Sequence, residues 1–132
     1  MTVGLSGVNW ANKVLDHMLR AGASTAPAGE FVKLHTADPG SAGATAASSV
    51  TTRPAVTFAA ASGGSCALTG TAPSWASWAG TNGEVVTHIS VWDASTVGNF
   101  MFSAALAASK TVNTGDTLTL ATLTVSLAPI AA

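Results

Sequence analysis

His17, His35 and His88, with Asp38 or Asp93, are the residues that could chelate a metal, because imidazole nitrogen and carboxylate oxygen are its usual protein ligands. Their spacing speaks against it. The three histidines fall on a helix and on two separate strands, with no i,i+4 or H-x-H pair to bring two together. His88 is better read as a packed, hydrogen-bonded residue of a central strand. Serines abound, so composition permits a Ser-His-Asp arrangement, but no G-x-S-x-G elbow occurs, and Gly4-Leu5-Ser6-Gly7 lacks its spacing. The glycines sit in turns and are not followed by Lys-Ser or Lys-Thr, as a phosphate loop requires. Cys66 is the single cysteine, which excludes an intrachain disulfide and leaves no pair for zinc. The expectation is therefore no catalytic, cofactor or metal site, and no enzyme.

Trp75 and Trp78 offer a different chemistry. Aromatic side chains in a loop provide large rigid area at low entropic cost, which suits capping one end of a core, a protein interface, or stacking on a sugar face. Trp10 lies off the main apolar stripe of the amino-terminal helix, and Leu15 lies on it. These four are the interface candidates.

The elements that position them follow from periodicity. Met1 to Gly7 reads as a short arm. Val8, Ala11, Val14, Leu15, Met18 and Leu19 recur at the helical period, so an amphipathic helix is expected over Asn9 to Ala21, with Gly22 as its stop. That helix either packs on its own domain or docks on a neighbour. Glu30 to Thr36 reads as a strand and Ala37-Asp38-Pro39-Gly40 as a turn. Ser41 to Thr52 is a loop of small residues without large apolar anchors, a weaker interface candidate for a neighbouring subunit to order. Short strands centred on Val56 and Phe58 and on Ser65 to Gly70 follow.

Glu84 to Leu106 is the organising stretch: two β-branched and aromatic runs around a turn-rich Asp93 to Asn99, the form of a β-hairpin. Strict alternation places Val85, Thr87, Ile89 and Val91 on one face and Val86, His88, Ser90 and Trp92 on the other. Neither face is strongly polar, so cover on both is expected. In the last run, Leu118 and Leu120 alternate in one phase, and Leu123, Val125 and Leu127 in the other. A bulge or a change of sheet is expected at Ala121-Thr122. Pro129 ends that strand. The fold class is mainly β: an antiparallel β-sandwich of about seven to eight short strands with one amino-terminal α-helix. Residues 1–22 form the arm and helix, and residues 23–132 the sandwich, in one domain overall.

Charged residues make up 8% of the 132 residues and the net charge is −1, against about 25% charged in ordinary domains. Small neutral side chains cost little to desolvate, so the surface suits burial against copies of the chain or other subunits. Five scattered Lys and Arg make no basic patch, which argues against nucleic acid. No apolar run reaches the ~20 residues of a membrane span, and no signal peptide is evident at the amino terminus.

The blocks NKVLDHMLR, FVKLHTADPG, RPAVTFAAASGG, VTHISVWDAS, GNFMFSAAL, KTVNTGDTLTL and LTVSL, in this order and at this spacing, resemble a family of small bacteriophage virion proteins usually labelled phage tail fibre or minor tail proteins. The resemblance runs from about Asn12 to Leu127. It implies a virion structural subunit, of the tail fibre or of the capsid surface as a decoration protein, that assembles with copies of itself and other virion proteins. A trimer is the fibre analogy. The alternative is a module that recognises a host-surface glycan.

Overall fold

The computed structural model describes residues 3–127, and elements are given within that span. Strand β1 (Gly4–Leu5) leads into a π-helical turn (Gly7–Ala11) and helix α1 (Asn12–Arg20). Then come β2 (Glu30–His35), β3 (Ala55–Phe58), β4 (Ser65–Thr69), β5 (Ser74–Trp75), β6 (Glu84–Trp92), β7 (Phe100–Val112), β8 (Leu118–Thr119) and β9 (Thr124–Ser126). The chain is mainly β with an amino-terminal helix, as expected. One antiparallel sheet runs β1-β7-β6-β2-β3-β4-β9, and β5 pairs with β8 in a small second sheet.

The sandwich forms because the long sheet curls over itself. Phe58 of β3 meets Phe102 of β7 edge-on, ring centroids 6.5 Å apart, although β6 and β2 stand between them in strand order. Val32, Leu34, Val56, Val86, Ile89 and Val91 line the inside of the curl. The β5–β8 pair closes it with Trp75, Trp78 and Leu118.

The central hairpin is β6–β7, and its loop is tied by Asp93. The Asn99 backbone N–H donates to Asp93 Oδ1 at 2.6 Å, and the Asn99 side-chain amide donates to Oδ2 at 2.8 Å. Alternation along β6 is corrected at one point. Val86 is buried with Ile89 and Val91, while Val85 is 42% exposed. The cause is an irregularity at Thr87: it stands alone between Val86 and His88, opposite four residues of β7, Leu106 to Ser109. The extra residues shift the strand's phase, as bulges do.

The predicted phase slip in the last run is a change of sheet. Leu120 N–H still bonds the Pro73 carbonyl beside β5, whereas Leu68 N–H bonds the Leu123 carbonyl beside β4. Ala121 and Thr122 carry the chain across. Pro129 lies outside the described residues.

The loop after β2 overturns one expectation. It anchors itself, by backbone and polar contacts rather than large apolar groups. Ser48 N–H bonds the Leu34 carbonyl, Ala47 bridges to His35, and Glu84 accepts from the Ser48 hydroxyl and from the Ser49 N–H at 3.1 Å. Gly43 (φ 67°) lies so close over the Phe100 ring that a Cβ would collide with it. This loop covers the outer face of β2 at His35, beside which Ser90 of β6 is also buried, so the cover expected on both faces of β6 holds at its middle and not at Val85.

Candidate assembly surface

The arm reaches the sheet through β1, which pairs with the outer edge of β7. Ser6 fixes the next step. Its N–H donates to the Met101 carbonyl at 2.7 Å, and its hydroxyl accepts from Asn9 N–H at 3.3 Å. The Asn9 side-chain amide donates to the Phe100 carbonyl at 3.1 Å. This pinning yields a π-helical turn over Gly7–Ala11, so the regular helix starts at Asn12, later than periodicity predicts. It ends with Ala21 in the left-handed region (φ 51°), one residue before Gly22.

Past the turn α1 leaves the sheet, and no residue of it is buried. Leu15 is 53% exposed, Met18 69% and Leu19 75%, with Val8 at 85% just before them. The strongest amphipathic element of the chain therefore turns its apolar face to solvent. Of the two alternatives for the helix, packing on its own domain is not what the described residues show: the helix projects. Trp10 is half-buried, with the Lys13 ammonium 5.0 Å from its ring centroid. Its indole N–H is enclosed without a hydrogen-bond partner among the described residues. The Asp16–Arg20 pair at 3.3 Å is exposed and adds little to stability.

Trp75 and Trp78 lie elsewhere, in the interior, at 4% and 1% exposure. The Trp75 indole donates to the Thr52 carbonyl at 3.0 Å and the Trp78 indole to the Thr81 carbonyl at 3.1 Å. Of the roles weighed for them, capping the sandwich is the one this burial describes. Neither ring has a face left for a sugar or a partner. Of the four interface candidates, only Leu15 lies open on the surface.

A groove missed in the sequence opens between β7 and the β8–β9 crossing. Its volume is about 330 Å³. Leu34 and Ile89 form its floor, Ala104 to Ala108 one wall, and Leu118 to Leu123 the other. The irregularity opposite Thr87 supplies the first wall, and the change of sheet supplies the second. Lys110 is its one charged residue. Long-range pairing, not local spacing, brings these segments together.

The outer face of β2 and β6 gathers the polar residues. His35 and His88 are direct cross-strand partners, which sequence spacing did not reveal. His35 is fully buried. Its Nδ1 donates to the Thr45 carbonyl at 2.8 Å, and its Nε2 lies 2.7 Å from the Ser90 hydroxyl, which itself accepts from the Trp92 indole at 2.8 Å. Burial lowers its pKa, with help from Lys33 and His88 against two backbone carbonyls. His88 Nδ1 instead meets the Thr87 hydroxyl at 2.7 Å, and His17 Nδ1 meets the Gly22 carbonyl at 3.0 Å out on the helix. Each histidine thus has a local partner. Among the described residues no three of His, Cys, Asp and Glu converge.

Arg53 stacks on Trp92 at 4.2 Å and donates to the Val97 carbonyl at 2.8 Å, holding Val97 in the left-handed region (φ 55°) at the hairpin tip. Burial lowers the pKa of Arg53; burial and Arg53 together lower that of Lys33.

The block order that suggested a phage tail fibre resemblance is matched by comparison with known families. The model of the podophage GP4 fiber I protein gp80 family matches residues 6–128. The chain belongs to that family. The match takes in the π-helical turn, α1 and every later strand of this fold, so the projecting helix lies within the fibre family's matched region. No curated protein matches the chain. Membership marks a phage fibre type of virion structural protein.

Proposed function

We propose that the chain is a non-enzymatic subunit of a phage tail fibre that assembles through protein–protein contacts with copies of itself. The carrying observation is α1, an amphipathic helix that leaves Leu15, Met18 and Leu19 more than half exposed among the described residues, while the curled sheet has a core of its own. An exposed apolar patch of this kind marks an interaction site. A surface with few charges supports the same reading, because little hydration is lost on contact. The mechanism is geometric: a curled sheet holds its hairpin tip and loops in fixed positions while arm and helix attach it. Adjacent apolar area contributes about 25 cal/mol per Å² before the entropic cost of association.

Labelling intact virions with an antibody against this chain tests the assignment. Label along tail fibres is the expected result. Label on the head surface would make it a capsid decoration protein, and no label on virions would remove the structural role.

A further inference from the structure

We infer that Arg53 and Lys33 hold the acidic group of a saccharide at the tip of the β6–β7 hairpin, with the sugar's hydroxyls lying in the cleft beside Arg53. The site shares no residue with α1, so it stands or falls apart from the self-association proposed above. The chain has five Lys and Arg among its 132 residues. Two of them, scattered in sequence, converge on one ring: the Arg53 guanidinium lies 4.2 Å from the Trp92 ring centroid and the Lys33 ammonium 6.0 Å from it. No carboxylate balances them among the described residues. The Asp16–Arg20 ion pair is out on α1, and both oxygens of Asp93, where the hairpin loop begins, are taken up by Asn99. Arg53 therefore repels the Lys33 charge and adds to burial in lowering its pKa. Two half-buried like charges oppose each other until an anion joins them.

Holding the hairpin tip accounts for part of Arg53 and for nothing of Lys33. Arg53 Nη1 donates to the Ala94 and Val97 carbonyls. Its Nη2 and Nε find no acceptor among the described residues, and a guanidinium presents such donors as a fork that fits an oxyanion. The ring stack and the two carbonyl bonds fix the fork before a ligand arrives, which lowers the entropic cost of binding.

The cleft beside Arg53 says what carries the anion. It has a volume of about 500 Å³ and lies between the approach to β3, the start of β5 and the hairpin tip. Arg53 is the charged residue of its lining. Around it stand the exposed side chains of Thr51, Thr52, Ser74, Ser95 and Thr96. None of these hydroxyls is spent on another described residue. A hydroxyl both donates and accepts, so an array of free ones matches the hydroxyls of a sugar. An acidic peptide satisfies the two cations and leaves most of that array without partners. A nucleic acid needs many phosphates neutralised, and two cations are too few for it.

Chemical-shift titration of the isotope-labelled full chain tests it. Trigalacturonate is the acidic probe, galactotriose its neutral counterpart, and inorganic sulfate and triglutamate are the other arms. Trigalacturonate should shift the Arg53 Nε–H signal and the Ser95 and Thr96 amides with a Kd of about 1 mM, and galactotriose should not. Arg53→Gln should weaken binding at least about tenfold. Because Arg53 also holds the hairpin tip, two further variants leave it in place. Lys33→Gln removes the second cation and should weaken binding about threefold. Thr96→Asp sets a carboxylate in the cleft and should abolish it. Neither of these side chains makes a hydrogen bond among the described residues, so unchanged far-UV circular dichroism and melting temperature are expected and verify folding. Wild-type affinity in both would overturn the site. Sulfate bound as tightly as trigalacturonate would overturn the saccharide in favour of a bare anion. Triglutamate bound more tightly would overturn it in favour of an acidic protein segment. No shift with any of the four probes would overturn the anion site itself.

Discussion

His35 has no exposed surface, and both its ring nitrogens are engaged, Nδ1–H to the Thr45 carbonyl and Nε2 toward the Ser90 hydroxyl. That network suits the neutral ring, and burial lowers the folded pKa below the ordinary value of about 6.5. Between those two values the unfolded chain holds a proton that the folded chain does not. Stability is therefore complete above about pH 6.5 and falls as pH drops toward the lowered pKa, with no further loss below it. Urea midpoints measured from pH 8 to pH 5 should show this fall, and His35→Gln should remove His35's share of the slope. Trp78 poses a simpler case. It is 1% exposed and its N–H is bonded, so Trp78→Ala should cost about 3–5 kcal/mol in urea unfolding through the cavity it leaves.

At the scale of elements, the loop after β2 and the helix α1 behave in opposite ways. The loop has little apolar weight, yet Glu84 ties it to the sheet. Burial pushes the Glu84 carboxyl up, but the donors from Ser48 and Ser49 outweigh this and hold it below its ordinary value. Glu84→Gln should speed hydrogen exchange of the Ser49 amide and open the loop to protease, leaving β6 and β7 protected. Helix α1 has the apolar weight, and none of its residues is buried. Leu19→Ser should therefore change the unfolding free energy of the isolated chain by no more than about 0.5 kcal/mol, whereas the same change in a packed helix would cost several times that.

At the scale of the whole molecule, near-neutral charge and an exposed apolar helix make the self-association proposed above an apolar process. Raising salt from about 0.05 M to about 1 M shortens the range of charge interactions roughly from 14 to 3 Å. The oligomer proposed here should keep its sedimentation coefficient across that change. Dissociation at high salt would show that surface charges, not the apolar helix face, hold it together.

Much of this was legible in the sequence because the signals were local. The positions of β2, β3, β4 and β6, the β6–β7 hairpin, the amphipathic helix and the change of sheet at Ala121-Thr122 follow from side-chain period and turn chemistry, which a few neighbouring residues set; β1, read as an arm, and β5, read as a loop, do not. The family blocks were legible for the same reason, as contiguous motifs. Tertiary structure alone decided the rest. Whether Trp75 and Trp78 faced in or out depended on β5 pairing with β8, more than forty residues later in the chain. The meeting of His35 with His88 and the register irregularity opposite Thr87 depended on which strands became neighbours. So did the groove, whose walls come from β7 and from the crossing between β8 and β9. A helical period says that a face is apolar; only the packed chain shows that none of the described residues buries that face.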